Sequence, residues 1–147
     1  EGCRSIRKPG EGTWITAEML TAYRRLHRLG YTHSVEVWEG DELVGGLYGL
    51  GLGSFFAGES MFSRGRDASK FAFVALVGYF DLLQFPMIDC QSYTEYLASF
   101  GAVEIPRESF LSEISSLQRR IPVGPLWSEV SGDAMLRRGI ERSGRNG

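Results

Sequence analysis

The chain has 147 residues, close to the ~150 residues of a single domain, and its 43% hydrophobic content lets it bury a core rather than stay disordered. Its net charge of −2 argues against a protein whose whole surface binds nucleic acid, although a local basic patch is compatible with that charge. Cys3 and Cys90 are too few for a disulfide scaffold, and no apolar run reaches the ~20 residues of a transmembrane helix, so we expect a reducing, cytoplasmic setting.

The first half of the chain predicts one helix followed by three strands. Thr16 offers an N-cap hydroxyl, and apolar residues then recur at helical spacing, which predicts a helix over 16–29. Period-two alternation predicts a strand over 34–38, and further strands are expected over 43–50 and 54–61. Because short turns join these strands, we expect an antiparallel meander.

Three glycines lie inside the second predicted strand, at Gly45, Gly46 and Gly49. Glycine weakens a strand interior because it has no side chain to pack. These positions therefore suggest a β-bulge, or a close approach by a ligand or by another part of the backbone.

The second half of the chain predicts a long helix that Asp67 caps and that runs to about Leu83. It is apolar around much of its circumference, which indicates deep burial. The later elements are expected to be a strand over 86–90, a helix over 94–100, a strand over 102–105 and a helix over 107–120.

Beyond Val123 the chain accumulates Pro, Gly, Ser and Arg, which predicts a mobile tail. We expect one domain over residues 1–121 and a C-terminal extension over 122–147. The mixed element order predicts an α+β fold, an antiparallel meander flanked by helices. This order resembles, by analogy, the acyltransferase fold called GNAT.

Glu59 is the first candidate for chemistry. It lies near the end of the third predicted strand, between Phe56 and Phe62, whose apolar rings would strengthen its attraction for a cationic group. The alternative is an ordinary surface carboxylate, because Glu is seldom buried without a partner.

Asp89 and Gln91 end the strand after the long helix. On an extended segment residues two apart face the same side, so Asp89 could orient or polarise Gln91. The alternative is an Asp that accepts hydrogen bonds from nearby backbone N–H groups. Cys90 would face the core as a small hydrophobe and is rejected as a nucleophile.

Neither histidine indicates a metal site. His27 lies on the apolar stripe of its helix, which favours a core histidine, and the spacing of His33 to other ligand types fits no metal motif. No Gly-rich phosphate loop opens a helix, so the glycines of 45–53 do not indicate a nucleotide site.

Nine short motifs occur together in a characteristic order. They are GTWIT at 12–16, AYRRLH at 22–27, HSVEVW at 33–38, LVGGLYG at 43–49, GESMFS at 58–63, ASK at 68–70, IDCQ at 88–91, SFGA at 99–102 and RESF at 107–110. Over residues 1 to about 114 the chain closely resembles the leucyl/phenylalanyl-tRNA–protein transferase family.

The resemblance implies a cytoplasmic bacterial aminoacyltransferase with a GNAT-like C-terminal domain. Such enzymes move Leu or Phe, and sometimes Met, from tRNA to the N-terminal Lys or Arg of a protein, which is then degraded under the N-end rule. The expected partners are aminoacyl-tRNA and such a protein or peptide, with no membrane. A monomer is expected. No cofactor and no metal are expected, because aminoacyl-tRNA is already an activated ester.

The resemblance also implies roles for particular residues. Asp89 and Gln91 fall on the family's catalytic D-C-Q motif, and Glu59 falls on its acceptor-binding Glu. The positions that hold the aminoacyl-adenosine end fall on Trp14, Leu47, Phe56, Met61, Phe73, Leu76 and Phe80.

The sequence also departs from the family pattern. Ala57 stands where Cys is common, Tyr96 where His is common, and Phe100 where Leu is usual. The family's N-terminal domain, which carries part of the tRNA surface, has no counterpart here, so we expect weak activity from this chain alone. The alternatives are an inactive relic, a tRNA- or peptide-binding domain, or an acetyltransferase that uses acetyl-CoA.

Overall fold

The computed structural model describes residues 2–5, 15–83, 86–119 and 132–143. This part of the chain forms helices and strands in the mixed order that the sequence predicts, which confirms the α+β class. In chain order they are α1 (Gly2–Ser5), α2 (Ala17–Arg28), β1 (Thr32–Glu39), β2 (Glu42–Leu52), β3 (Phe55–Ser63), α3 (Ala68–Leu82), β4 (Met87–Asp89), α4 (Glu95–Ala98), α5 (Arg107–Leu117) and α6 (Gly132–Ser143). None of the helices in these ranges is long and apolar enough to cross a membrane.

The strands form one mixed sheet in the order β1-β2-β3-β4. The first three pair antiparallel, which confirms the predicted meander. β4 runs parallel to β3, with Phe55 opposite Met87 and Ala57 opposite Asp89. Two parallel strands need a crossover connection, and α3 supplies it between β3 and β4.

The glycines of β2 allow close backbone approach, as the sequence suggests. A Cβ on Gly45 would lie 2.5 Å from the Cβ of Ala68, at the start of α3. A Cβ on Gly49 would lie 2.2 Å from the carbonyl oxygen of Ala57 on β3. A register shift between Tyr48 and Gly49 confirms the predicted bulge. The close neighbours at these two glycines are therefore α3 and β3.

The two faces of the sheet carry different helices. Leu47 belongs to the core cluster with the apolar residues of α3. Tyr48 follows it and faces the other way, where its ring meets Tyr23 of α2 at 5.3 Å between centroids. Thr16 caps α2 as predicted, since its hydroxyl accepts a hydrogen bond from the Met19 N–H. Thus α3 covers one face and α2 the other.

The start of α3 differs from the prediction. Asp67 is the N-cap residue, but its side chain makes no capping hydrogen bond and its φ is 56°. Its carboxylate lies 2.8 Å from the Lys70 ammonium instead. The hydrogen bond from Lys70, with its positive charge, lowers the pKa of Asp67. In the left-handed conformation of Asp67, its side chain thus forms an ion pair with Lys70 and not a capping hydrogen bond.

The predicted strand over 102–105 is wrong. This segment is irregular, and Val103 and Ile105 are 77% and 40% exposed. The segment does not join the sheet, although its apolar residues alternate. It is not a strand because a strand needs a hydrogen-bonded neighbouring strand. The helix after it is confirmed as α5, whose Leu117 carbonyl accepts hydrogen bonds from the backbone and hydroxyl of Ser54.

The predicted mobile tail is also wrong for residues 132–143, which form α6 against α3. A Cβ on Gly139 would lie 2.1 Å from the Val74 carbonyl oxygen, and one on Gly78 would lie 1.9 Å from the Met135 carbonyl oxygen. These glycines let the two helix backbones pack closely. An ion pair between Arg138 and Asp81 adds a polar contact. Composition suggested a tail because glycine and arginine are common in mobile segments, whereas here both make packing contacts.

We expect the change Gly139→Ala to lower the free energy of unfolding by about 1–3 kcal/mol, because the added methyl group overpacks the contact with Val74. Alanine in a helix normally stabilises it by about 1 kcal/mol relative to glycine. Gly132→Ala is the matched control, since nothing lies within 4 Å of a Cβ there. Urea unfolding followed by circular dichroism checks both, and equal stability of the two variants would contradict the close helix contact.

Candidate active site

Glu59 occupies a β-bulge in the middle of β3, two residues beyond the last residue that pairs with β4. Tyr48 of β2 pairs with Ser60, whereas the next residue, Gly49, pairs with Gly58. Glu59 is thus the extra residue, with no partner on β2. A bulge bends the strand and redirects a side chain, and it commonly lies beside a functional site. The half-buried Glu59 side chain is therefore set apart from the regular alternation of β3.

Asp89 and Gln91 form a tight turn rather than an extended segment. β4 ends at Asp89, and Gln91 adopts a left-handed backbone conformation with φ 62°. The Gln91 backbone N–H donates to Asp89 Oδ1 at 2.7 Å. The expectation that both residues share one face of an extended strand is therefore wrong. Asp89 contacts the Gln91 backbone through this hydrogen bond, as an Asp side chain favours in turns.

The Gln91 side chain joins this turn to the bulge. Its Nε2 donates to the Gly58 carbonyl oxygen at 2.7 Å and to Glu59 Oε1 at 3.3 Å. The parallel pairing of Ala57 with Asp89 brings the two segments side by side. Glu59, Asp89 and Gln91, which lie up to 32 residues apart in the chain, therefore meet where β4 ends beside the middle of β3.

Two tyrosines lie beside Glu59. Burial, with the neighbouring Glu59 carboxylate adding to it, raises the pKa of Tyr23. Burial, with the negative charge of Glu59 adding to it, raises the pKa of Tyr48 to about 12. The rings meet edge to face, at 86° between their planes. The sequence marks both only as apolar positions, because hydropathy patterns give no signal for a hydroxyl contact across elements.

The tyrosines line a cleft of about 380 Å³ between α2 and the start of the sheet. His27 and His33 also line it. His27 is exposed, so the expectation of a core histidine is wrong, although its Nδ1 does have a partner in the Thr32 carbonyl oxygen at 2.7 Å. Burial lowers the pKa of His33. Among the described residues, no group of three His, Cys, Asp or Glu side chains could hold a metal ion.

The residues expected to hold the aminoacyl end lie together in the core. Leu47, Phe56, Phe73, Leu76 and Phe80 belong to one buried cluster, and Met61 packs against it. Met61 pairs with Leu47 across the strands, and the rings of Phe56 and Phe80 lie 5.4 Å apart. Trp14 lies outside the described residues. The cluster packs the sheet on α3 and so stabilises the fold.

Cys90 packs partly buried against the same cluster, and burial raises its pKa, as expected for a small hydrophobe. The departures Tyr96 and Phe100 both face α3. The Phe100 ring lies 5.0 Å from that of Phe73, and the Tyr96 hydroxyl lies 3.3 Å from Ser69 Oγ. These larger residues therefore hold α4 against α3.

Comparison with known proteins gives a consistent result. Residues 1–115 match the family model described as leucyl/phenylalanyl-tRNA protein transferase. A protein of that name from Dechloromonas aromatica is 54% identical over 127 residues, which are 86% of this chain and 54% of that protein. Another from Erwinia tasmaniensis is 52% identical over 128 residues, which are 87% of this chain and 55% of that protein. The chain thus spans about half the length of the curated relatives it matches.

We expect the protein to lose stability in alkaline solution through Tyr23 and Tyr48. Their folded pKa values are raised above the unfolded value of about 10, so the neutral hydroxyl is favoured on folding. Their contribution is complete below about pH 10 and is lost as the pH rises through the folded pKa values. Denaturant unfolding at several alkaline pH values measures this, and Tyr48→Phe should flatten the dependence. An unchanged slope in that variant would contradict the assignment.

Proposed function

The chain belongs to the leucyl/phenylalanyl-tRNA protein transferase family, and we propose that it transfers Leu or Phe from aminoacyl-tRNA to the N-terminal Lys or Arg of acceptor proteins. Met is a further donor in this proposal. The product would be marked for degradation under the N-end rule, in the cytoplasm. The reaction needs no cofactor and no metal, because the ester of aminoacyl-tRNA is already activated, and the protein acts as a monomer.

One observation carries this proposal: the Gln91 amide contacts both Gly58 and Glu59. The G-E-S and D-C-Q motifs, which suggest the family separately, thereby form a single site. The proposed reaction is aminolysis. The acceptor's α-amino nitrogen attacks the ester carbonyl carbon and forms a new amide bond. The bond from that carbon to the terminal ribose oxygen of the tRNA breaks, and this oxygen takes up the proton that the nitrogen releases. The ammonium group must lose its proton before it attacks.

Glu59 is proposed to bind the basic acceptor residue. Its carboxylate stands at the bulge beside apolar groups, where attraction to a cation is less screened than in bulk water. Lys and Arg side chains can both pair with a carboxylate, and Arg can do so through two parallel hydrogen bonds. This would select acceptors by charge.

Gln91 is proposed to orient the attacking amine. An amide is too weak a base to remove a proton by itself, but its oxygen can accept a hydrogen bond from the amine while its Nε2 stays on Gly58 and Glu59. Asp89 would keep Gln91 in its left-handed conformation. Holding two substrates in a reactive geometry supplies much of the rate in reactions of this kind.

The apolar cluster is proposed to receive the aminoacyl side chain. Leu47, Phe56 and Met61 lie on the sheet side of it, and α3 supplies Phe73, Leu76 and Phe80. Trp14 completes the set in the proposal. Apolar pockets discriminate by only about 1–3 kcal/mol per methylene, which fits the use of Leu, Phe and Met together.

We further infer that the fold is GNAT-like. The antiparallel meander, followed by a helical crossover to a parallel strand, supports this inference. The division into a transferase domain over residues 1–121 and an extension over 122–147 stays a proposal. α6, which packs on α3, belongs to the extension.

A second candidate is a domain that binds aminoacyl-tRNA or peptide without turnover. The observation that favours it is the contact between Gln91 and Glu59, which can bind a basic N-terminal residue whether or not transfer follows. The two candidates share the same site and differ only in product formation.

The proposed activity is tested with tRNA carrying labelled Leu or Phe and a peptide that begins with Arg. We expect label to enter this peptide and not a matched peptide beginning with Glu. The Dechloromonas aromatica relative serves as the positive control. If that control transfers label and this folded chain binds the peptide without transfer, the second candidate is favoured. Absence of both binding and transfer would reject both candidates.

We expect Glu59→Gln to raise the KM for Arg-start peptides by about 10-fold, with kcat nearly unchanged, because it removes a charge-assisted contact in the bound state. The amide keeps the size of the side chain. Steady-state kinetics with peptides beginning with Arg and with Leu measure the effect. An equal loss for both peptides would contradict a role in recognising charge.

We expect Asp89→Ala to lower kcat by about 100-fold, because loss of the turn displaces Gln91. Asp89→Asn keeps an oxygen acceptor for the Gln91 N–H, so we expect it to retain most of the rate. Single-turnover transfer measured for both variants checks this. A loss in Asp89→Asn as large as that in Asp89→Ala would mean that the negative charge, and not the turn, matters.

A further inference from the structure

The cleft of about 380 Å³ between α2 and the sheet lies along a row of paired strand residues that leads to Glu59. Ser34 of β1 pairs with Tyr48 of β2, and Tyr48 pairs with Ser60 of β3. Residues that pair directly across antiparallel strands point to the same face, here the face that α2 covers. Ser34 and Tyr48 line the cleft. Ser60 continues the row beyond the cleft and directly follows Glu59 in the chain, so the row joins the cleft to the proposed acceptor site.

The length of this row can be expressed in residues of an extended peptide. Neighbouring strands lie about 4.7–4.9 Å apart, so β1 is about 10 Å from β3 across the sheet. An extended chain advances about 3.3 Å per residue. An acceptor whose first residue is bound at Glu59, and which then crosses the strands, would therefore reach β1 with its third or fourth residue.

The wall that α2 contributes to the cleft is cationic. Arg24 and Arg28 lie four residues apart, hence on one face of the helix, and both line the cleft. None of the ion pairs between described residues involves Arg28. Glu36 is the one carboxylate among the described residues that line the cleft, and its two oxygens accept hydrogen bonds from the Ser34 hydroxyl and the Trp38 Nε1–H. Two arginines therefore face one carboxylate that already has partners.

Contacts between α2 and the sheet fix this wall in place. The ring of Tyr23 packs edge to face against Tyr48, 5.3 Å away. The Thr32 hydroxyl donates to the Tyr23 carbonyl oxygen at 3.0 Å, and His27 Nδ1 donates to the Thr32 carbonyl oxygen at 2.7 Å. Arg28 directly follows His27, so its backbone is held beside the start of β1. A held backbone presents a charged group to a ligand with less loss of conformational freedom.

We propose that this cleft binds the acceptor chain downstream of its basic N-terminal residue, and that Arg28, together with Arg24, selects an acidic side chain at the third or fourth position. This inference rests on the proposed function, in which Glu59 binds the first residue. An arginine suits this role because its guanidinium can donate two parallel hydrogen bonds to a carboxylate. The row that joins the cleft to Glu59 favours a peptide over a nucleic-acid phosphate as the occupant. Opposite charges at two separated points would then set the specificity for acceptors.

The test measures binding of fluorescent peptides to the full chain by fluorescence anisotropy. The peptides begin with Arg and carry either Asp or its neutral isostere Asn at the second, third, fourth or sixth position. At the third or fourth position we expect Asp to lower the Kd about 2–5-fold relative to Asn, as for an exposed ion pair, with no difference at the second and sixth. Raising NaCl to about 0.5 M should remove the difference, because salt screens exposed charges. An equal gain from Asp at all four positions would contradict a defined site.

Arg28→Gln is compared with Arg25→Gln, which removes the same charge from a different side of α2. Arg25 is exposed, as Arg28 is, and it lines a separate groove with Leu26 and Leu29. We expect Arg28→Gln to lose most of the preference for Asp, and Arg28→Glu to prefer Lys at the same position, whereas Arg25→Gln keeps the wild-type preference. Circular dichroism checks that each variant is folded. Equal losses in Arg28→Gln and Arg25→Gln would assign the preference to net charge and overturn the proposal.

The outcomes separate this inference from the proposed function. If Arg-start peptides bind better than Glu-start peptides but Asp and Asn peptides bind equally, the downstream site is wrong and the proposed function stands. If the Asp preference depends on Arg28 but labelled Leu is not transferred, the downstream site stands and the transfer activity fails. If Arg28→Gln weakens binding of aminoacyl-tRNA and leaves the peptide preference unchanged, the cleft binds tRNA and the proposal is overturned. Absence of any peptide binding rejects both.

Discussion

The hydrogen bonds of the Gln91 side chain are the interaction on which the site depends. They cross from the turn after β4 to the bulge in β3, and they satisfy the Gly58 carbonyl oxygen as well as Glu59. β4 has only three residues, so its pairing with β3 contributes few backbone hydrogen bonds of its own. The amide of Gln91 continues that pairing beyond the strand. It extends the contact between the two segments beyond their last backbone pair, Ala57 and Asp89.

Two local departures from regular structure make this link possible. The bulge releases Glu59 from strand alternation, and the left-handed conformation of Gln91 turns its side chain back towards β3. Left-handed backbone is unfavourable for a residue with a Cβ by about 1–2 kcal/mol. The Asp89 side chain offsets this through its hydrogen bond to the Gln91 N–H. Residues held in uncommon conformations by their neighbours are typical of functional sites.

The apolar core supports the strand that carries the bulge at Glu59. Phe56, which is fully buried, lies three residues before Glu59 and packs on Phe80 of α3. Gly45 lets the start of α3 approach the sheet closely. α3, which carries the chain from β3 to β4, thus packs on the same face of the sheet, mainly against β1 and β2. This packing fixes the sheet on which the bulge lies.

Much of this architecture can be predicted from the sequence, because alternating and helical hydrophobic patterns are local properties. The meander, α2, α3 and α5 follow from such patterns, and the glycines of β2 indicate close approach. The turn at Gln91 does not follow, because Asp-Cys-Gln is equally compatible with an extended segment until its hydrogen bonds are known. The expected strand over 102–105 fails because a strand depends on a neighbour that local pattern cannot supply.

The sequence likewise identifies Glu59, Asp89 and Gln91 as candidates but marks Tyr23 only as an apolar position. Tyr23 becomes a neighbour of Glu59 and Tyr48 only when α2 packs on the sheet. The prediction of a mobile tail is wrong at residues 132–143 for a similar reason. Gly139 and Arg138 match a mobile composition, and only the surface of α3 turns them into a packed helix.

The docking of α6 on α3 has a consequence during synthesis of the protein. Val74 and Gly78 meet a partner helix that begins more than 50 residues later in the chain, at Gly132. At about 5–20 residues added per second, several seconds pass between emergence of α3 from the ribosome and arrival of its cover. During that interval the outer side of α3 is open to water and to chaperones. The synthesis of α6 therefore sets the earliest time at which this side of α3 can be covered.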